Sequence, residues 1–127
     1  TKMLDLERRG GYVVDQEVRH RMSLLPQFGG TTGAVRRSAL EAVGGWNTIS
    51  LAEDTDLTYR LFIAGMRVAY VASAECYEES PETWQVRYRQ VKRWAIGHND
   101  CLFRYFFATL GATKQPLMAR LDAAVQA

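Results

Sequence analysis

Cysteine is scarce in this 127-residue chain: Cys76 and Cys101 stand far apart and form no Cys-x-x-Cys pair. That excludes a disulfide framework and a structural zinc ribbon, and free thiols suit a reducing compartment. No run approaches the roughly 20 apolar residues of a bilayer span, and the first residues carry no basic-then-apolar leader. Neither sign of charge dominates, with 16 lysines and arginines against 14 aspartates and glutamates. The balance makes no case for a nucleic-acid partner. Internal repeats and low-complexity tracts are missing, as are the P-loop spacing and the Gly-x-Gly-x-x-Gly fingerprint, so "FGGTTG" taken singly is a turn. The chain also opens on Thr1-Lys2-Met3-Leu4 without an initiator methionine and is read as a segment of a longer protein.

With 47% hydrophobic residues the chain can bury a moderate core, as one globular domain or part of one. Apolar residues at helical spacing, Val14, Val18, Met22 and Leu25, predict a helix from Lys2 to about Leu25, weakened at Gly10-Gly11 and ended by Pro26. "FGGTTGAVRR" then turns and extends. Ser38 and Glu41 form an S-x-x-E capping box for a short helix that stops at Gly44-Gly45. A further helix is expected from Glu53 to Ala64, burying Leu57 and Leu61, with Gly65 just past its end. "MRVAYVASAECY" reads as one strand or two. Ser80-Pro81-Glu82 gives a cap, a first-turn proline and a first-turn acid for a long helix to about Leu110, with a break near Gly97. The order suggests a βαβ-type arrangement with a thin sheet, which rarely stands alone.

Two constellations could carry chemistry. Glu53, Asp54 and Asp56 crowd the start of a helix, where acids ordinarily complement the macrodipole and accept hydrogen bonds from free amides. Asp56 is assigned to that capping role. Gln90, Arg93 and Trp94 fall at spacings of three and four, so they share one helix face. A guanidinium clamps phosphate oxygens and an indole offers a flat apolar face to a pyranose; the plainer reading is a basic face with Trp94 in the core. A metal held by Asp54 and Asp56 is disfavoured, because two carboxylates from one turn are few for a hard cation. His98 is read as a lone surface histidine.

In this order, "FGGTTGAVRRSALEAVGGW", "AEDTDLTYRLFIAGMRVAYV" and "QVKRW" resemble the second half of the catalytic domain of family 2 glycosyltransferases, in the membrane-bound branch of cellulose, hyaluronan and chitin synthases. The match covers roughly Gln27 to Asp100, and "GGYVVDQEVRHRM" looks like the helix before these motifs. The resemblance implies an α/β class and a partial nucleotide-diphospho-sugar transferase fold of the GT-A type, a small mixed sheet packed by helices. Residues 1–127 would be the acceptor-side half of the domain, and the aromatic region 101–127 a membrane-interface helix region. Asp54 would be the general base on the acceptor hydroxyl. Arg93 and Gln90 would meet the nucleotide diphosphate, Trp94 would stack the acceptor sugar, and Gly30 and Thr31 would line the acceptor site. Glu53 joins the substrate-binding residues, supporting the loop or pointing to solvent. Ala52 departs from the motif's threonine, which loses a hydroxyl beside the base.

Inverting sugar transfer needs a carboxylate beside the attacking hydroxyl and positive charge beside the leaving diphosphate, and these residues could supply both. No cofactor is assigned to the chain itself; the resemblance places Mg2+ or Mn2+ on an upstream Asp-x-Asp stretch, which does not occur before Gln27. The partners implied are a nucleotide-diphospho-sugar donor, a glycan acceptor, the other half of the catalytic domain and, for the full-length protein, the inner or plasma membrane with this domain cytoplasmic. The isolated chain is expected to be inactive and to self-associate. Single-sugar transfer to a lipid, a non-catalytic binding or assembly module, and a domain whose acids merely cap a helix stay open as alternatives.

Overall fold

The computed structural model describes Leu6 and residues 8–126. Among these described residues five helices follow one another: α1, a π-helical stretch Gly10–Gln16 continuing into an α-helical turn Glu17–Arg21; α2, Arg37–Ala42; α3, Glu53–Ile63; α4, Trp84–Leu110; and α5, Leu117–Ala123. No strand occurs among the described residues, which corrects the expected mixed sheet. A strand needs a neighbour to satisfy its ladder of amides and carbonyls. The segment 66–77 has none, and runs as irregular chain with Val71 and Tyr77 exposed.

The first helix differs from expectation at its end. Residues 2–5 lie outside the described residues. Pro26 does not end the helix: it stops at Arg21, where Ser23 turns into the left-handed region at φ 56° and the Leu24 amide reaches back to the Arg19 carbonyl at 2.9 Å. Leu25 thus leaves the helix and enters the core, while Val14, Val18 and Met22 face outward. The capping box is also corrected. Ser38 lies inside α2, Arg36 is its N-cap without a side-chain bond, and Glu41 instead pairs with Arg37 at 2.7 Å. Gly44 and Gly45 follow at positive φ, as a helix stop requires.

In α3, Leu57 and Leu61 are buried and Gly65 follows at φ +86°, as expected. The start of α4 lies further on than Ser80: Thr83 is the N-cap, its side chain accepting from the Val86 amide at 3.3 Å. The helix then runs unbroken through Gly97 to Leu110. Gly97 is a contact point rather than a break, since a Cβ there would lie 2.7 Å from the Ala52 Cβ and 3.0 Å from its backbone nitrogen. The absent side chain lets α4 cross close over the start of α3.

The core joins Leu25, Phe62, Ala112, Ala119 and Ala123, with Leu24 and Val68 against it. Each large side chain buried there contributes about 1.5–3 kcal/mol. The end of the chain closes on it: the Tyr59 hydroxyl donates to the carbonyls of Ala123 and Gln126 at 3.0 and 2.8 Å, and Arg19 meets Asp122 at 2.6 Å. No described helix is long and apolar enough to cross a membrane.

Candidate functional site

The site is built where the N-terminus of α3 meets the loop before α2 and the middle of α4. The loop is pinned first. Gln27 donates twice, its backbone N–H to Gln16 Oε1 at 2.8 Å and its side-chain Nε2 to Thr55 Oγ1 at 2.8 Å. The Phe28 amide donates to Thr58 Oγ1 at 3.1 Å, and that hydroxyl donates to the Asp54 carbonyl at 2.8 Å. Held this way, the chain turns through Gly30 at φ +77°, where a Cβ would stand 2.8 Å from Asp54 Oδ2.

Asp54 uses its two oxygens differently. Oδ1 accepts from the adjacent Thr55 amide at 2.7 Å, whereas Oδ2 faces Gly30. One carboxylate oxygen is thus engaged by the helix backbone and the other stands at the Gly30 turn. Beside Gly30, the Tyr12 hydroxyl stands 2.7 Å from where a Gly29 Cβ would be. Burial pushes the Tyr12 phenol above its ordinary value; nearby Arg8 opposes the shift, while Glu78 and Asp54 add to it. Tyr12 thus keeps its proton.

From Tyr12 the cluster continues to the long helix. The Arg8 guanidinium lies 5.8 Å from the Tyr12 ring and 5.1 Å from the Trp94 ring, and pairs with Glu78 at 2.9 Å. Arg87 lies 5.4 Å from the same indole and donates to Gln90 Oε1 at 3.0 Å. One turn beyond Trp94, burial pulls the His98 imidazole below its ordinary value and the Asp54 carboxylate pulls it up. His98 is half-buried within the field of Asp54, not a lone surface residue.

The structure thus links Asp54, Gly30, Trp94 and Gln90 through Tyr12, Arg8 and Arg87, three residues that sequence reasoning left out. Arg93 is not in the cluster: it stands exposed on α4, and the cation against Trp94 and Gln90 is the buried Arg87. The i, i+3 spacing from Arg87 to Gln90 was the available signal. Thr31 is exposed beside Gly30. Glu53 is exposed and lines an open depression with Trp46, Asn47, Thr48 and Ser50.

Asp56 does not serve as a cap. It is fully buried; Oδ1 accepts from Tyr105 at 2.7 Å and Asn47 at 3.0 Å, and Oδ2 accepts from Arg60 Nε at 2.7 Å. Burial alone would raise its carboxyl, but bonds from Tyr105, Asn47 and Arg60 hold it below the usual carboxylate range. Burial and the Asp56 bond together push Tyr105 up to about 12, so it donates. With both oxygens engaged by donors, Asp56 does not fit as a metal ligand beside Asp54. Among the described residues no group of three or more His, Cys, Asp or Glu side chains gathers in a metal-holding cluster.

The chain is similar to curated proteins over more than half of its length. "Probable glycosyltransferase YdaM" of Bacillus subtilis (strain 168) is 42% identical over 76 residues, 60% of this chain and 18% of that protein. The "Poly-beta-1,6-N-acetyl-D-glucosamine synthase" of Staphylococcus aureus (strain COL) is 35% identical over 82 residues, 65% of this chain and 20% of that protein. The aligned chain thus spans about a fifth of the length of these curated relatives. No solved structure matches. Because residues 1–123 match the sequence profile described as Glycosyl transferase family group 2, the chain belongs to that family.

Proposed function

We propose that this chain supplies the acceptor side of an enzyme that transfers a sugar, with inversion, from a nucleotide-diphospho-sugar to a growing polysaccharide. The relative named as a polysaccharide synthase supports the acceptor class. The observation that carries the reading is the placement of Asp54 Oδ2 against Gly30, beside a linked Tyr12, Arg8 and Trp94.

On this reading an acceptor hydroxyl enters beside Gly30 and Thr31 and loses its proton to Asp54 as it attacks the anomeric carbon. A base needs hydrogen-bond reach to that oxygen, about 3 Å, more than it needs a raised pKa. The leaving diphosphate is met by cations of α4. Arg93, exposed on that helix, can reach outward to it, while Gln90 is oriented by Arg87. Trp94 stacks the acceptor sugar once Arg8 yields its place on the indole, a cation–π contact of modest strength, about 0.5–2 kcal/mol. Glu53, next to the base and exposed, supports the loop. Mg2+ or Mn2+ belongs on an upstream Asp-x-Asp of the full enzyme, not on Asp54 and Asp56. The full-length protein is membrane-bound with this domain on the cytoplasmic side, and 101–127 borders the membrane.

The test is Asp54→Asn in the intact parent enzyme. The expected result is a fall in kcat of about 10²–10⁴ with the donor KM little changed. Turnover within about threefold of wild type would remove Asp54 as the base. A companion assay uses residues 1–127 alone, which are expected to show no transfer.

A further inference from the structure

The base candidate sits on the first turn of a helix whose N-cap, Ala52, offers no side-chain bond. Something else must hold that turn still. Two positions on from Asp54, Asp56 is fully buried and is bound by side chains of α4, of the loop after α2 and of the next turn of its own helix. Tyr105 reaches it from α4 at 2.7 Å, Asn47 from the loop after α2 at 3.0 Å, and Arg60 from one turn along α3 at 2.7 Å. Arg60 extends the tie, its NH1 donating to the carbonyls of Val43 at 2.6 Å and Gly45 at 2.8 Å. Tyr105 is itself fixed by stacking on Tyr59 of α3, centroids 5.7 Å apart.

We propose that Asp56 is the positioning residue for Asp54: its carboxylate, clamped by Tyr105, Asn47 and Arg60, sets the first turn of α3 against the Gly30 loop and the long helix. The inference rests on Asp54 acting as the base. The geometry argues for positioning over simple stability because the carboxylate joins the first turn of α3 to two other elements, α4 and the loop after α2. A turn held by one outside element can tilt about it, whereas this one is tied to α4 by Tyr105 and to the preceding loop by Asn47, with Arg60 of its own helix anchored on the Val43 and Gly45 carbonyls. Misplacing a reacting group by about 1 Å costs on the order of 10²-fold in rate. The clamp therefore acts on turnover through Asp54 without touching substrate.

The experiment uses the full-length enzyme and measures kcat, donor KM and Tm for Tyr105→Phe, Asp56→Asn, Asp54→Asn and the Asp54→Asn/Asp56→Asn double variant. Tyr105→Phe keeps the ring stack and removes one bond, so it folds and serves if Asp56→Asn does not. The expected result is a fall in kcat of about 3- to 10-fold for Tyr105→Phe and about 10²-fold for Asp56→Asn, with donor KM unchanged. The double variant is expected to be no slower than Asp54→Asn alone, since a positioner has nothing left to position. A lowered Tm with kcat retained in Tyr105→Phe, or additive losses in the double variant, overturns the proposal. An active Asp54→Asn enzyme instead removes the base itself, so the two failures are distinguishable.

Discussion

Gly30 places its backbone at φ +77°, and any side chain added there would meet Asp54 Oδ2 at 2.8 Å. A left-handed residue with a Cβ costs about 1–2 kcal/mol, and the carboxylate, as the movable partner, would swing away. Gly30→Ala is therefore expected to lose that much stability by urea denaturation and to lower turnover of the intact enzyme further than stability explains. Asp56 has a different signature. Its folded carboxyl lies below the ordinary value of 3.8, so over the interval between the two values the unfolded chain binds more protons. Its contribution is whole above about pH 4–5 and is lost as pH falls toward the folded value. The urea midpoint of the wild type should drop on acidification from about pH 5 to 3, and that of Asp56→Asn should drop less. Asp54 was legible as a candidate because a carboxylate at a motif position is visible in one dimension. Asp56 was not, since its partner Tyr105 lies 49 positions away.

At the scale of elements, the contact between α4 and the start of α3 depends on Gly97. Alanine is the better helix former by about 1 kcal/mol, so propensity alone favours Gly97→Ala. The new Cβ, however, would stand 3.0 Å from the Ala52 backbone nitrogen and 2.7 Å from its Cβ, where backbone has little room to give. Overpacking of that kind costs about 1–3 kcal/mol, and the clash should win: the variant is expected to unfold at lower urea. The same contact explains how the chain tolerates Ala52 where the resembled motif has threonine, since this position is packed against α4 and not open to substrate. Helices α3 and α4 were readable from apolar spacing and from their stops. The caps were less so, because Ser80 and Thr83 are both capable N-caps and the choice between them follows from where α4 docks. The strand over 66–77 failed because alternation marks a residue pattern, while a strand also requires a partner.

Over the whole molecule, apolar surface is left uncovered: Trp84 is 77% exposed, Phe103 77% and Phe107 83%. The aromatic stretch after the Arg93-Trp94 pair thus divides, with Tyr105 turned inward onto Tyr59 and Asp56 and the two phenylalanines, one turn apart, turned outward. Exposed apolar area of this kind drives association. The isolated chain is expected to sediment as oligomers in analytical ultracentrifugation, and Phe103→Glu with Phe107→Glu to shift it toward monomer; no shift would assign association to another face. From Leu117 onward the chain divides again, Ala119 and Ala123 joining the core while Leu117, Met118 and Val125 stay exposed.

The sequence by itself determined the helical periods, the glycine stops and the chemical types at Asp54, Gln90, Arg93 and Trp94, because those depend on neighbours within about one helical turn. Only the tertiary structure decided that Gly30 faces Asp54, that Arg87 and Arg8 rather than Arg93 flank Trp94, and that Asp56 is clamped rather than capping. These pairings join distant positions, and their energies come from packing and burial, which no local spacing encodes.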